Sequence, residues 1–355
     1  MLLNKIKINQ TTLRNRIVIS PMCQYSSQNG NPSQWHYKHL LNLSSSGAGM
    51  LILESTAIEK HGKISVADLC LYNNSHQKKL KKLVNFIKGK NDIKLGIQIS
   101  HSGRKGSAYI PWVKPNYPLP KKLSWKTFAP SPIPRTKNWP IPKEMSIKQI
   151  KNLIKKFKIA GIRANKIGFD CIEIHMAHGY LLHQFFSPVS NKRNDMYGGN
   201  IQNRSRLLIE VAKAVREIWP SKKIIGARIT GTDHLKNGLS VKDAIFLAKK
   251  LKKVGLDYIS VSSGGILPKT NMTQKQAFRS EISHKIKKES KLITTTSGMI
   301  TKHEIAENLI KSRKIDFITI ARTIIKDPSW IYRLVKNKKE NGIIPKQYHR
   351  IFDKY

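Results

Sequence analysis

The stretch Cys171-Ile172-Glu173-Ile174-His175-Met176-Ala177-His178-Gly179-Tyr180-Leu181-Leu182-His183 decides the fold. Residues 171–174 form a short apolar run that reads as a buried strand. The run stops at two histidines three apart, a glycine and a tyrosine, and an apolar helical pattern then begins. A rigid strand delivers two imidazoles and a phenol to its own C-terminal edge.

Outward from this strand, the chain alternates. Upstream, Ser146 caps a long amphipathic helix through Ile150, Leu153, Ile154, Phe157 and Ile162 that ends near Gly168. Three earlier apolar runs, 17–20, 50–53 and 94–99, read as strands, with helical patterns at 35–46 and 80–87 between them. Downstream, strands are predicted at 224–229, 257–261, 292–295 and 317–320, and helices at 207–219, 241–254, 281–289, 301–312 and 330–335. Eight strands alternating with helices imply a parallel sheet with helical crossovers. The count, in a chain of 355 residues, predicts a (β/α)8 TIM barrel rather than an open doubly wound sheet. The open sheet would also want a glycine-rich turn after its first strand. Gly47-Ala48-Gly49 instead precedes a strand.

Residues 1–355 read as a single domain, with an insertion at about 102–144 and a C-terminal tail at about 340–355. The insertion follows the third strand and holds nine of the 16 prolines and three of the six tryptophans, Trp112, Trp125 and Trp139. A proline-stiffened, aromatic connection of that length reads as a lid or substrate-facing element rather than a floppy linker.

Lys plus Arg number 65 against 21 Asp plus Glu, a net charge of +44. Such a surplus would hold nucleic acid electrostatically. The lysines, however, fall between core positions of solvent-facing helices and do not interleave with aromatics, so composition accounts for them and nucleic acid is not the expected partner. No apolar run approaches the roughly 18 residues of a membrane span, and the N-terminus is too polar for a signal-peptide core. A cytoplasmic protein with no membrane partner is expected. Cys23, Cys70 and Cys171 are scattered, which suits neither a disulfide framework nor a clustered metal site.

In such barrels chemistry sits at the C-terminal mouth of the strands. The predicted strand ends carry residues 20–23, Ser55, Gln98, His175 with His178, Arg228, Gly298 and Arg322. There is no carboxylate pair and no serine beside a base, which argues against a hydrolase and towards an anionic, hydrogen-bonding cofactor. Gly298, Ala321 and Arg322 suit the phosphate place at the seventh and eighth strand ends. His175 and His178 lack the further ligands of a metal set, and no metal is expected. Two imidazoles with a phenol two residues on favour polarising a carbonyl and delivering a proton. His183, one turn into the next helix, reads as structural.

These residues carry a resemblance. Asn15-Arg16-Ile17-Val18-Ile19-Ser20-Pro21-Met22-Cys23-Gln24-Tyr25, Gln98-Ile99-Ser100-His101-Ser102-Gly103-Arg104-Lys105, the block 175–204, and Gly298-Met299-Ile300 with Arg322 resemble the Old Yellow Enzyme family. The similarity is to its bacterial, thermophilic-like branch of FMN-dependent ene-reductases and NADPH dehydrogenases, and it covers essentially the whole chain. The resemblance implies FMN held by Ser20, Pro21, Met22, Cys23, Ser55, Gln98, Arg228, Gly298, Met299, Ala321 and Arg322. Gln98 and Arg228 would meet the pyrimidine edge, and Cys23 would modulate the flavin. It implies NADPH or NADH as reductant and a ping-pong reaction through the flavin. Hydride passes to the activated C=C bond of an α,β-unsaturated carbonyl or nitro compound. His175 and His178 would hold the substrate oxygen, Tyr180 would donate the proton and Tyr25 would contact the substrate. Arg350 would enter a neighbouring subunit's site, which makes a homo-oligomer the expected assembly. Ala321-Arg322 departs from the family's usual Gly-Arg, the insertion is longer than in compact members, and the tail after Arg350 differs.

Two alternatives compete. A flavin barrel of the tRNA-dihydrouridine synthase kind would use the positive charge, but it relies on a loop cysteine that is missing here. A dienoyl-CoA-reductase relative would need a cysteine cluster and a second domain. Neither the physiological substrate nor the preference between NADH and NADPH is legible.

Overall fold

Short apolar, β-branched runs bounded by turn residues form the eight strands expected, and a computed structural model describes residues 2–268, 270, 272, 274–335 and 342–352. The strands are β1 (Ile17–Ile19), β2 (Met50–Ala57), β3 (Lys94–Ser100), β4 (Cys171–Met176), β5 (Ile224–Thr230), β6 (Tyr258–Ser262), β7 (Ile293–Thr296) and β8 (Phe317–Ile320). They close in chain order into a parallel barrel, with β8 pairing β1. This is a (β/α)8 TIM barrel.

The crossover helices are α1 (Gln34–Ser44), α2 (Asn74–Lys88), α3 (Ile147–Ile167), α4 (Leu181–Phe186), α5 (Ile201–Arg216), α6 (Val241–Val254), α7 (Ser280–Ser290), α8 (His303–Lys311) and α9 (Arg322–Lys326). Local signals set their ends. Ser146 and Ser240 each make a capping box, and Gly168 and Gly255 stop α3 and α6 in the left-handed conformation. Helix α5 begins six residues before the expected 207, because the Asn200 side chain accepts from the Asn203 N–H at 3.0 Å and caps a polar first turn. The expected final helix at 330–335 is only a 3₁₀ turn, Tyr332–Leu334. Its Trp330, Ile331 and Val335 are buried, and so short a run does not repay helix nucleation.

Alternation along β4 separates two environments. Ile172 and Ile174 face the helices and join the main core, whereas Cys171 joins a second cluster inside the barrel with Val18, Ile52, Ile224 and Tyr258. That inner cluster includes Ile8 and Leu13. They come from a hairpin of Ile6–Ile8 with Thr11–Leu13 that no sequence signal announced. Glu173 and His175 lie on the same inward face as Cys171. Register places Gln98 opposite Glu173 and His175 opposite Arg228. One level of the barrel therefore carries an amide and a carboxylate, and the level above carries an imidazole and a guanidinium.

The insertion between β3 and α3 is a packed cover. Two short strands, Phe128–Ala129 and Lys143–Glu144, pair within it. Arg104 donates to the Ile133 and Ile266 carbonyls at 3.2 and 3.0 Å. Arg193 donates to the Pro130 and Met145 carbonyls at 3.0 and 2.7 Å. Two buried guanidiniums thus fasten it to the loops after β4 and β6.

Candidate active site

His175 ends β4 and His178 lies on the turn beyond it, at φ +59, in the left-handed region. Their protons can be placed from their neighbours. His175 Nδ1 accepts from the Ala177 N–H at 3.2 Å, which puts the His175 proton on Nε2. That nitrogen faces His178 Nδ1 at 3.2 Å, and His178 Nε2 lies 2.6 Å from the Ser262 hydroxyl at the end of β6. Burial, reinforced by the Arg228 charge, holds both imidazoles well below their ordinary pKa. They are neutral donors, one sharing its hydrogen with the other. His183 is structural, as expected: Nδ1 accepts from the Gly179 N–H at 2.7 Å and Nε2 meets Asp233 at 2.9 Å.

Beneath the histidines lies a network that no local signal announces, because Glu173 falls within an apolar run. Gln98 Nε2 donates to Glu173 at 2.7 Å and the Tyr258 hydroxyl donates to its other oxygen at 2.9 Å. The amide of Gln98 is thereby oriented, and its carbonyl oxygen is left for another partner. Tyr258 reaches across because its register partner is Gly226, where a Cβ would sit 2.2 Å from the phenol ring. Burial pushes the Glu173 carboxyl up, opposed by the Arg228 charge. Arg228 in turn donates to the Ser20 hydroxyl at 2.9 Å.

A third wall is aromatic. Cys23, Tyr25 and Tyr180 pack together against Ile64, Ala108 and the insertion's Trp139. Tyr180 stands edge-on to His175, ring centroids 4.9 Å apart, and Tyr25 meets Trp112 at 6.2 Å. Burial and neighbouring Cys23 push the Tyr180 phenol far up, so it keeps its proton. Cys23 also stays protonated, raised by burial and by Glu54, while bonding the Ser55 main chain. Lys105, also missed, donates to the His178 carbonyl at 2.7 Å and lies 4.8 Å over the Tyr180 ring, its pKa lowered by burial to about 7.

Beside Arg228 opens a cavity of about 370 Å³. Six expected residues line it: Ser20, Arg228, Gly298, Met299, Ala321 and Arg322. Arg279 and Lys326 join them, and among the described residues no carboxylate does. Pro21 and Met22 lie off this cavity, and Met22 packs on the main core. Arg350 is exposed on the 3₁₀ segment Lys346–Phe352 and does not line it. Tail residues 340–341 and 353–355 lie outside the described residues. An anionic group with a polar ring fits this donor set: cations without counter-charge on one side, an oriented amide and a buried guanidinium on the other. Among the described residues no group of three or more His, Cys, Asp or Glu is placed to hold a metal ion, and no helix is long and apolar enough to cross a membrane.

The chain is similar to known proteins over nearly its whole length. Residues 1–341 match the model of the NADH:flavin oxidoreductase / NADH oxidase family. An NADPH dehydrogenase of Listeria innocua is 36% identical over 351 residues, 98% of each chain. Among solved structures, morphinone reductase superposes with a TM-score of 0.78 at 22% identity, over 94% of this chain and 88% of its own. A 2-naphthoyl-CoA reductase gives 0.83 at 24% identity, and there the match spans 94% of this chain but about half, 52%, of that protein's length. At such identities the two structures speak for the fold alone.

Proposed function

Because the chain belongs to the NADH:flavin oxidoreductase / NADH oxidase family, we propose that this FMN-dependent NAD(P)H oxidoreductase reduces the activated C=C bond of small α,β-unsaturated carbonyl or nitro compounds. Reductant and substrate would use one site in turn. The observation that carries the reading is the pair of neutral imidazoles at and just beyond the end of β4, His175 buried and His178 half-buried, with a protonated phenol beside them.

Bound FMN supplies the hydride acceptor and donor between the two half-reactions. The residues proposed to hold it are Ser20, Pro21, Met22, Cys23, Ser55, Gln98, Arg228, Gly298, Met299, Ala321 and Arg322. The Gln98 carbonyl, left free by the bond from its amide to Glu173, would accept from the flavin ring, and Arg228 would supply the fixed positive charge that favours an anionic reduced ring. His175 and His178 donate to the substrate oxygen, where negative charge grows as hydride reaches the β-carbon. Tyr180 gives its proton to the α-carbon, so hydride plus proton saturate the bond and NAD(P)⁺ is the other product. Tyr25 bounds the substrate from the opposite wall. Arg350, exposed on its 3₁₀ segment, is available to a second copy, which supports a homo-oligomer with shared sites. A cytoplasmic location belongs to the same proposal. The RNA-modifying alternative is not favoured, since the family match runs through nearly the whole chain.

The test is spectroscopic. Anaerobic NADPH should bleach the bound flavin and cyclohexenone should restore it. The His175→Ala/His178→Ala double variant should keep its flavin yet lose phenol binding and enone turnover. Retained turnover would remove the histidines from the role given them.

A further inference from the structure

We propose that Arg279, on the loop between β6 and α7, is a phosphate-binding residue of the cofactor cavity, taking the FMN phosphate together with Arg322 and Lys326. The inference rests on the flavin reading above and adds a cation that neither the motifs nor the strand ends indicated.

Electrostatics make Arg279 anomalous without an anion. It is half-buried and immediately precedes α7, where the helix dipole disfavours a positive charge. Its charged neighbours are Arg228 and Arg322, both of the same sign, and with burial they hold its pKa down at about 10. Its nearest partners are hydroxyls: Nε donates to Ser263 Oγ at 2.9 Å, and Nη1 approaches Ser297 Oγ at 3.5 Å. Hydroxyl dipoles orient a guanidinium but do not neutralise it. Among the described residues no carboxylate pairs with it. A cation kept in three unfavourable circumstances at once requires an anion to offset them.

Geometry says where the anion goes. The Arg279 guanidinium stacks 4.2 Å from the Phe278 ring, which fixes its plane. It lies against the turn after β7, at Gly298, φ +123, where a Cβ would come within 3.3 Å of Nη1 and 2.8 Å of the Phe278 ring. A glycine there lets fork and turn share one face of the cavity that Arg322 and Lys326 line from the β8 side. Three cations, one from the loop before α7 and two from helix α9, suit a compact dianion, and the planar fork suits its oxygens.

The experiment compares flavins with and without the phosphate. The full chain is stripped of flavin and titrated with FMN and with riboflavin, following flavin fluorescence. Wild type should prefer FMN. Arg279→Ala should lose at least about tenfold in FMN affinity with riboflavin affinity within about twofold, and Arg279→Lys should recover part of the preference. Arg279→Gln, which keeps a donor for Ser263, serves if the alanine variant does not fold. An FMN preference in the variants equal to that of wild type would overturn the assignment while leaving the flavin site standing. No preference in wild type would overturn the placement of the phosphate in this cavity, and Arg279 with it.

Discussion

Replacing Ser262 by alanine tests the proton arrangement of the histidine pair. Only one hydrogen lies between His175 Nε2 and His178 Nδ1, and the Ala177 N–H assigns it to His175. For both rings to donate to a substrate oxygen, His178 must move its proton to Nδ1 and accept at Nε2. The Ser262 hydroxyl, 2.6 Å away and fully buried, is the group that supplies that bond, since it can donate as readily as accept. Without it the donating tautomer leaves a buried nitrogen unsatisfied, at a cost of about 1–3 kcal/mol. That corresponds to a roughly 5- to 150-fold loss in affinity for a phenolate ligand, read from the flavin spectrum. Turnover of an enone should fall by a similar factor in kcat/KM, with FMN affinity unchanged. Ser262→Thr keeps the hydroxyl and should restore most of the binding. Undiminished binding by the alanine variant, or a threonine variant as impaired as it, would refute the tautomer argument.

Two further outcomes follow from the buried charges. Glu173→Gln keeps the shape but offers the two buried donors, the Gln98 amide and the Tyr258 hydroxyl, one acceptor oxygen in place of two, and a buried polar group left unsatisfied costs about 1–3 kcal/mol; urea unfolding that shows less than about 0.5 kcal/mol would mean that the network re-forms around the amide. Glu59, two residues beyond the end of β2, bonds His101 at 3.0 Å and Lys156, and these outweigh burial to hold its pKa down at about 2 from the ordinary 4.5. A depressed carboxylate stabilises the fold above the unfolded value and loses that contribution as pH falls through the folded one. Stability should therefore drop by up to about 3 kcal/mol between pH ~5 and ~2, and Glu59→Gln should flatten the drop; an unchanged acid profile would be the contrary result.

The barrel was legible because each of its strands is a local signal. An apolar run bounded by turn residues needs only its neighbours in sequence to be read; α6 matches its expected span 241–254, and α3 starts at the Ser146 cap and ends beside Gly168 as its sequence indicates. The hairpin under the barrel was not, because Ile8 and Leu13 are ordinary until the seven inner side chains that they cover have been brought together. The helix expected at 330–335 failed for the converse reason: its apolar spacing records burial, and burial does not require a helix.

The site divides along the same line. His175, His178 and Tyr180 share one stretch, so their proximity is written in it. Glu173 sits in that stretch too, yet its meaning depends on Gln98, 75 residues away, and on Tyr258, 85 away. A lone acid in an apolar strand reads as tolerated until the barrel register sets an amide opposite it. Arg279 is the extreme case, one lysine or arginine among 65. Composition hides it completely, and what distinguishes it is the absence of an opposing charge in three dimensions. A strongly basic chain offers many cations that solvent satisfies, so those that bind ligands are found by asking which of them solvent and carboxylates leave uncompensated.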